Sequence, residues 1–162
     1  MIYALLCVAV ICVDLFTKYL AVEHLAKIYT YPLIQGVFNL TYVENTGVAF
    51  GMFKDMRWFF VVVSVLVLVL LAVFFYKTKP RTMWLKIGTC LVFSGAIGNL
   101  VDRIVNGYVV DFLDFCLINF PVFNVADISV CVGVVLLMIH YIFFDNKEIA
   151  EEVKISKKAS DK

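Results

Sequence analysis

The chain has 162 residues, 63% of them hydrophobic, and a formal net charge of +1. Its mean hydropathy of +0.94 and an apolar share well above the roughly 45–50% of soluble domains make it an integral membrane protein, read as one domain. The near-neutral charge balance argues against a nucleic-acid partner. Five cysteines without CxxC or Cys/His spacing, beside only two histidines, argue against a zinc site and a disulfide framework, so neither metal nor cofactor is expected.

Four apolar runs follow in chain order, at about 2–22, 58–76, 83–101 and 125–144. Each has about 20 residues, enough at ~1.5 Å per residue to cross a ~30 Å hydrocarbon core. The first contains Asp14 and Lys18 and has no basic stretch before its apolar core, so it reads as a retained span rather than a cleavable leader. The loop between the second and third carries Lys77, Lys79 and Arg81 and no acid, which predicts a cytoplasmic loop and cytoplasmic termini. Residues 145–162, with five lysines and five acids, form a charged cytoplasmic tail. The remainder, 1–144, is the membrane-embedded domain.

Two segments are left at the outer face. In "GVFNLTYVENTG", Phe38, Leu40 and Tyr42 alternate with Asn39 and Thr41, the period of a half-buried strand, and Asn-Thr-Gly suits a turn. The second segment, 102–124, contains "YVVDFLDF" (Tyr108–Phe115), whose β-branched and aromatic residues favour an extended form. Asp111 and Asp114 would then point to opposite faces, and spacing alone leaves open which one faces the membrane site. Val110 and Phe112 are expected to hold this stretch against the bilayer. Between Lys86 and Asp145 the charged residues are Asp102, Arg103, Asp111, Asp114 and Asp127, all near one membrane surface.

Several short motifs carry polar groups into this apolar setting. "DLFTK" places Asp14 and Lys18 one helical turn apart, either as a helix-packing clamp or as a pair that orients another polar group. "SGAIGNLVDR" combines Gly95 and Gly98, which allow close helix approach, with Asn99, Asp102 and Arg103 on shared faces. "FPVFNVADISV" places Asn124 and Asp127 together at the head of the fourth span, where Asp127 either complements the helix dipole or serves a site. Serine chemistry lacks partners: "VFSG" misses the first glycine of a rhomboid-like motif, His140 lies at the far end of its span, and no serine has an outer lysine. Paired carboxylates remain. A proton-coupled carrier would spread its acids through the membrane depth, whereas here they gather at one face.

Together "DLFTK", "ENTGVAFG" (44–51), "SGAIGNLVDR", "GYVVDF" (107–112) and "FPVFNVAD" (120–127) resemble the lipoprotein signal peptidases, signal peptidase II. They stand in that family's order over nearly the whole chain apart from the tail, with Val48 where the family usually has Ala. The resemblance implies an all-α polytopic membrane protein with four transmembrane helices and a small extracytoplasmic β-sheet platform. It implies a bacterial inner-membrane aspartic endopeptidase that removes the signal peptide from diacylglyceryl-modified prolipoproteins, just before the lipidated cysteine. It assigns the catalytic dyad to Asp111 and Asp127, and supporting roles to Asp14, Lys18, Asn45, Gly47, Asn99, Asp102, Arg103 and Asn124. It also implies a lipid-modified prolipoprotein substrate, contact with membrane lipid and sensitivity to globomycin-type peptides.

Overall fold

A computed structural model describes residues 1–47, 56–78 and 82–144. Val48, Gly51, the basic residues Lys79 and Arg81, and the charged tail 145–162 lie outside the described residues. Four helices account for the four apolar runs: α1 (Ile2–Leu25), α2 (Arg57–Thr78), α3 (Met83–Val105) and α4 (Val125–Phe143). All four are long and apolar enough to cross a membrane, and their outward faces carry exposed Leu, Val, Ile and Phe side chains, as lipid contact demands. The helix α3 runs four residues beyond the expected span, which puts Asp102 and Arg103 in its last turns.

The central helix is α3, with α1, α2 and α4 packed around it. Small residues set these distances. A Cβ on Gly95 would collide with the backbone oxygen of Ala126 in α4, and one on Gly88 would stand 2.9 Å from the Gly133 oxygen. Lipid offers no hydrophobic driving force between helices, so the van der Waals packing that such close backbone approach allows is a main source of helix association.

Three antiparallel strands sit at the end of the bundle away from the N-terminus, in the order β1-β2-β3. They are β1 (Thr30–Ile34), β2 (Phe38–Asn45) and β3 (Val109–Asp114). The alternation read at 38–42 is thus a strand, extended to Asn45. In the β2–β3 register Val43 faces Asp111 and Asn39 faces Asp114, with a bulge between Leu40 and Val43. The chain then makes a short 3-10 turn, Cys116–Ile118, and returns beside β3. There Phe123 and Leu113 exchange backbone hydrogen bonds of 2.8 and 3.0 Å. That return brings the head of α4 alongside Asp111.

Val110 and Phe112 do not face the bilayer. They are buried with Ala21 and Leu25 of α1, and Leu40 and Tyr42 pack against the same cluster. The sheet holds its apolar face on the end of α1, so burying that face fixes β3 relative to the bundle.

Candidate active site

Residue Asp111 in the middle of β3 is 2% exposed. Its Oδ1 accepts from Asn124 Nδ2 at 2.6 Å, and its Oδ2 accepts from Asn45 Nδ2 at 2.8 Å. Neither amide can easily turn round. The Asn45 oxygen accepts the Gly47 N–H at 3.0 Å, and the Asn124 oxygen accepts the Asp127 N–H at 3.0 Å. Both therefore present their NH2 groups to Asp111.

The acid Asp127 is half-buried in the first turn of α4. Asn124 and Asp127 form a reciprocal capping box, Asp127 Oδ2 accepting the Asn124 N–H at 3.2 Å. The dipole reading of Asp127 thus holds, and it is not the whole of its role. Its Oδ1 accepts from Asn99 Nδ2 at 2.8 Å. Asn124 touches both acids, by side chain to Asp111 and by backbone to Asp127, so residues sixteen apart in sequence share one amide between them.

Behind Asn99 lies a buried charge cluster. Lys18 Nζ is 2.9 Å from Asp14 Oδ2, 3.0 Å from Asp102 Oδ2 and 2.9 Å from Asn99 Oδ1. Its side chain is almost wholly buried, so all three ammonium donors need partners, and all three have one. Because Lys18 takes the Asn99 oxygen, the Asn99 amide is turned to donate to Asp127. The pair in "DLFTK" is therefore both a clamp and an orienting device. Asp14 also accepts the Ala126 N–H at 2.8 Å, and Asp102 the Val110 N–H at 3.1 Å. One ion cluster thereby ties α1 to the heads of α4 and β3. A Cβ on Gly98 would strike the Asp14 carboxylate, so glycine leaves room for it.

The guanidinium of Arg103 donates to the Asn99 backbone oxygen at 3.3 Å and the Gly47 oxygen at 3.5 Å, and lies 5.3 Å from the Phe60 ring centroid. Its positive charge faces Asp127, Asp111 and Asp102. The ten residues that the resemblance assigns to the site, Asp14, Lys18, Asn45, Gly47, Asn99, Asp102, Arg103, Asp111, Asn124 and Asp127, therefore belong to one network. Asn45 differs slightly from expectation: it is the last residue of β2, and the turn begins just after it.

These groups open into a cavity of about 460 Å3. Asp111, Asp127, Asn45, Gly47, Asn99 and Arg103 form its polar end, and Phe120–Phe123 with Ile128, Cys131 and Val132 form an apolar flank. Sequence reading missed that flank. Helical spacing held the signal, since Cys131 and Val132 follow Asp127 and Ile128 by one turn of α4.

Residue Asp114 is held apart from the pair, accepting from Thr41 Oγ1 at 2.7 Å and Asn39 Nδ2 at 3.5 Å. Asp114→Asn keeps a hydrogen-bonding amide there, and its activity is expected to stay within about twofold of the parent. A loss comparable to that of the Asp111 or Asp127 variants, measured on the same substrate, would refute this separation.

The comparisons with known proteins agree with the motifs. A family model described as Signal peptidase (SPase) II matches residues 6–143. The "Lipoprotein signal peptidase" of Clostridioides difficile is 40% identical over 147 residues, covering 91% of this chain and 99% of the relative. That of Caldanaerobacter subterraneus subsp. tengcongensis is 46% identical over 129 residues, covering 79% and 87%. A solved bacterial membrane enzyme superposes with a TM-score of 0.80 at 34% identity, over 86% of this chain and 87% of that one. On a match that spans nearly all of the membrane domain and relatives alike over most of their length, the chain belongs to the signal peptidase II family.

Proposed function

We propose that this bacterial multi-pass membrane peptidase is an aspartic endopeptidase. In this reading Asp111 and Asp127 remove the signal peptide from diacylglyceryl-modified prolipoproteins, just before the lipidated cysteine. The observation that carries the reading is the pair of carboxylates lining one cavity, each held by amides whose orientation is fixed elsewhere.

Two such acids hold one proton between them. Burial, with the Asp127 charge adding to it, pushes the Asp111 carboxyl up to about 6 against the pull of Asn45 and Asn124. In this reading Asp111 is the member of the pair that takes the proton, as its raised value favours below about pH 6. Asp127, at the positive end of α4 and accepting from Asn99 and the Asn124 N–H, suits the negative charge. The carboxylate of Asp127 takes a proton from a water, whose oxygen attacks the scissile carbonyl. Asp111 hydrogen-bonds the carbonyl oxygen, and a carboxyl proton then passes to the leaving nitrogen as the C–N bond breaks. The products are a signal peptide with a new carboxylate and a lipidated cysteine with a free amine. No covalent enzyme intermediate forms.

Lys77, Lys79, Arg81 and Lys86, with no acid among residues 77–86, mark the connection between α2 and α3 at the end of the bundle away from the sheet, which supports a site at the outer face of the cytoplasmic membrane and cytoplasmic termini. There a substrate anchored by its diacylglyceryl group meets the dyad without leaving the bilayer, its apolar parts against membrane lipid and the Phe120–Val132 flank. Globomycin-type peptides would occupy the same cavity.

The test is mass spectrometry of a diacylglyceryl-modified prolipopeptide after incubation with the purified protein in lipid. A single cut before the modified cysteine, absent from the unlipidated peptide, is the expected result; cleavage elsewhere or none at all would refute the reading. The pH profile tests the shared proton. A carboxyl raised to about 6 keeps its proton below that pH and loses it above, so native stability drawn from the neutral form also declines as pH rises through 6. The kcat/KM is expected to fall on the alkaline side with an apparent pKa of about 6. Asn45→Ala, which removes a donor to the ionised form, should move that limb to higher pH. A flat profile across it would sink the mechanism.

A further inference from the structure

Arg57 opens α2 at the end nearest the sheet and is half-buried. A cation there opposes the positive end of its own helix dipole. Its Nη2 instead serves the neighbouring helix, donating to the backbone oxygen of Ile104 at 2.6 Å. Ile104 lies in the last turn of α3, where carbonyls lack intrahelical donors and the dipole is negative. The connection from α3 to β3 is shaped around the same guanidinium. Gly107 has a φ of +89°, and a Cβ on it would stand 3.3 Å from Arg57 Nη1. Arg57 Nε is buried without a hydrogen-bond partner, a cost that an apolar side chain would avoid.

Little else holds α2. Its buried residues are Phe60 and Val61, both about one turn from Arg57. Among the described residues the Arg57 bond is the side-chain hydrogen bond that ties α2 to another helix. Arg57 and Phe60 are three apart and share a face of α2. The Phe60 ring centroid lies 5.3 Å from the Arg103 guanidinium. The bonds of Arg103 itself, 3.3 Å to the Asn99 oxygen and 3.5 Å to the Gly47 oxygen, are long and hold it weakly on their own. From Arg103 the contacts continue to the dyad: the Gly47 N–H holds the Asn45 oxygen at 3.0 Å, and Asn45 donates to Asp111 at 2.8 Å.

We infer that Arg57 is a positioning residue for the dyad: by bonding the Ile104 carbonyl it seats the first turn of α2 on α3, and Phe60 in that turn holds Arg103 toward Gly47 and the two acids. The inference rests on the aspartic reading of the site. Arg57 is not among the walls of the catalytic cavity, so it acts on the acids without meeting substrate. Once the end of α2 is unseated, Arg103 is no longer held in place. Positive charge is then withdrawn from Asp111, and Asn45 is held less firmly. Both changes favour the neutral carboxyl.

The alkaline limb of kcat/KM on a lipidated prolipopeptide, expected near pH 6 in the parent, reads this. Arg57→Met keeps the length of the side chain and removes its donors, and should move the limb upward by about half a pH unit or more. Its kcat should fall about three- to tenfold, the worth of one hydrogen bond, with KM within about twofold of the parent. Arg57→Lys, which still donates to the Ile104 oxygen, should return the limb most of the way. Phe60→Leu keeps an apolar contact with α3 and removes the ring, so it should shift the limb in the same direction. It carries the test alone if Arg57→Met does not survive purification. In the double variant the two shifts should not add, because both act through one guanidinium. A melting curve in the same detergent separates stability, which a merely structural role would lower with the limb in place. A parent without an alkaline limb would refute the catalytic reading and this inference with it. A parent limb that stays put in both variants, or shifts that add in the double variant, would overturn the role of Arg57 and leave the dyad standing.

Discussion

The substitution Asp111→Asn is expected to lower cleavage of a lipidated prolipoprotein by a factor of about 100 to 10,000, the range for removing a positioned acid or base, and Asp127→Asn by a similar factor. The two changes strike the same proton. Neither amide can release a proton to the leaving nitrogen or accept one from water, so each variant leaves one carboxyl without its counterpart. The Asn replacement is not silent structurally. Asn45 and Asn124 both direct NH2 groups at Asp111, because their oxygens are bonded to the Gly47 and Asp127 N–H groups. An amide at 111 must turn its own NH2 against one of them, leaving a buried donor unpaired at a cost of about 1–3 kcal/mol. The same holds at 127, where Asn99 and the Asn124 N–H both donate. Activity must therefore be read beside a melting curve in the same detergent. A variant that melts near the parent temperature and retains more than about a tenth of its activity would remove that aspartate from the mechanism.

Much of this architecture is legible in the sequence, for physical reasons that differ by element. Lipid leaves a helix no alternative partner for its backbone, so each apolar run of about 20 residues is a helix. The strand β2 shows because one side packs on α1 and the other does not, which writes alternation into Phe38–Tyr42. The edge strand β1 is invisible: "TYPLI" is exposed along its whole length, carries Pro32, and among the described residues pairs only with β2, so no burial pattern marks it. The Asp14–Lys18 pair follows from helical spacing alone. That Lys18 also reaches Asp102 and Asn99 does not, because it depends on how α1 sits against α3, and that distance is set by Gly98. The outward placement of Val110 and Phe112 fails for a related cause. An apolar residue near a membrane surface reads as lipid-facing, while the end of α1 offered a protein surface instead.

Replacing Lys18 by Met is expected to show how far the proposed dyad depends on a charge buried behind it. The ammonium group is the cation between Asp14 and Asp102, 2.9 and 3.0 Å away, and it is 2% exposed. Methionine keeps the chain volume and removes the charge, leaving two buried carboxylates facing each other. Breaking a buried ion pair in this way costs about 3–5 kcal/mol, and a drop in melting temperature on the order of 10 °C is expected. The Asn99 oxygen also loses its 2.9 Å donor and keeps only the 3.2 Å contact from Asn124, so the amide is held less firmly toward Asp127. Loss of one hydrogen bond to a charged group, at about 1.5–3 kcal/mol, corresponds to a further fall in kcat of about 10- to 100-fold. The two effects separate in the double variant Lys18→Met/Asp14→Asn. It restores the net charge of the cluster, and the new amide oxygen still accepts the Ala126 N–H that Asp14 accepts now. Its melting temperature should recover much of the loss while its kcat stays low, since Asn99 remains without its lysine. Recovery of both together would reduce Lys18 to a folding clamp, and an unchanged melting temperature in the single variant would refute the buried cluster itself.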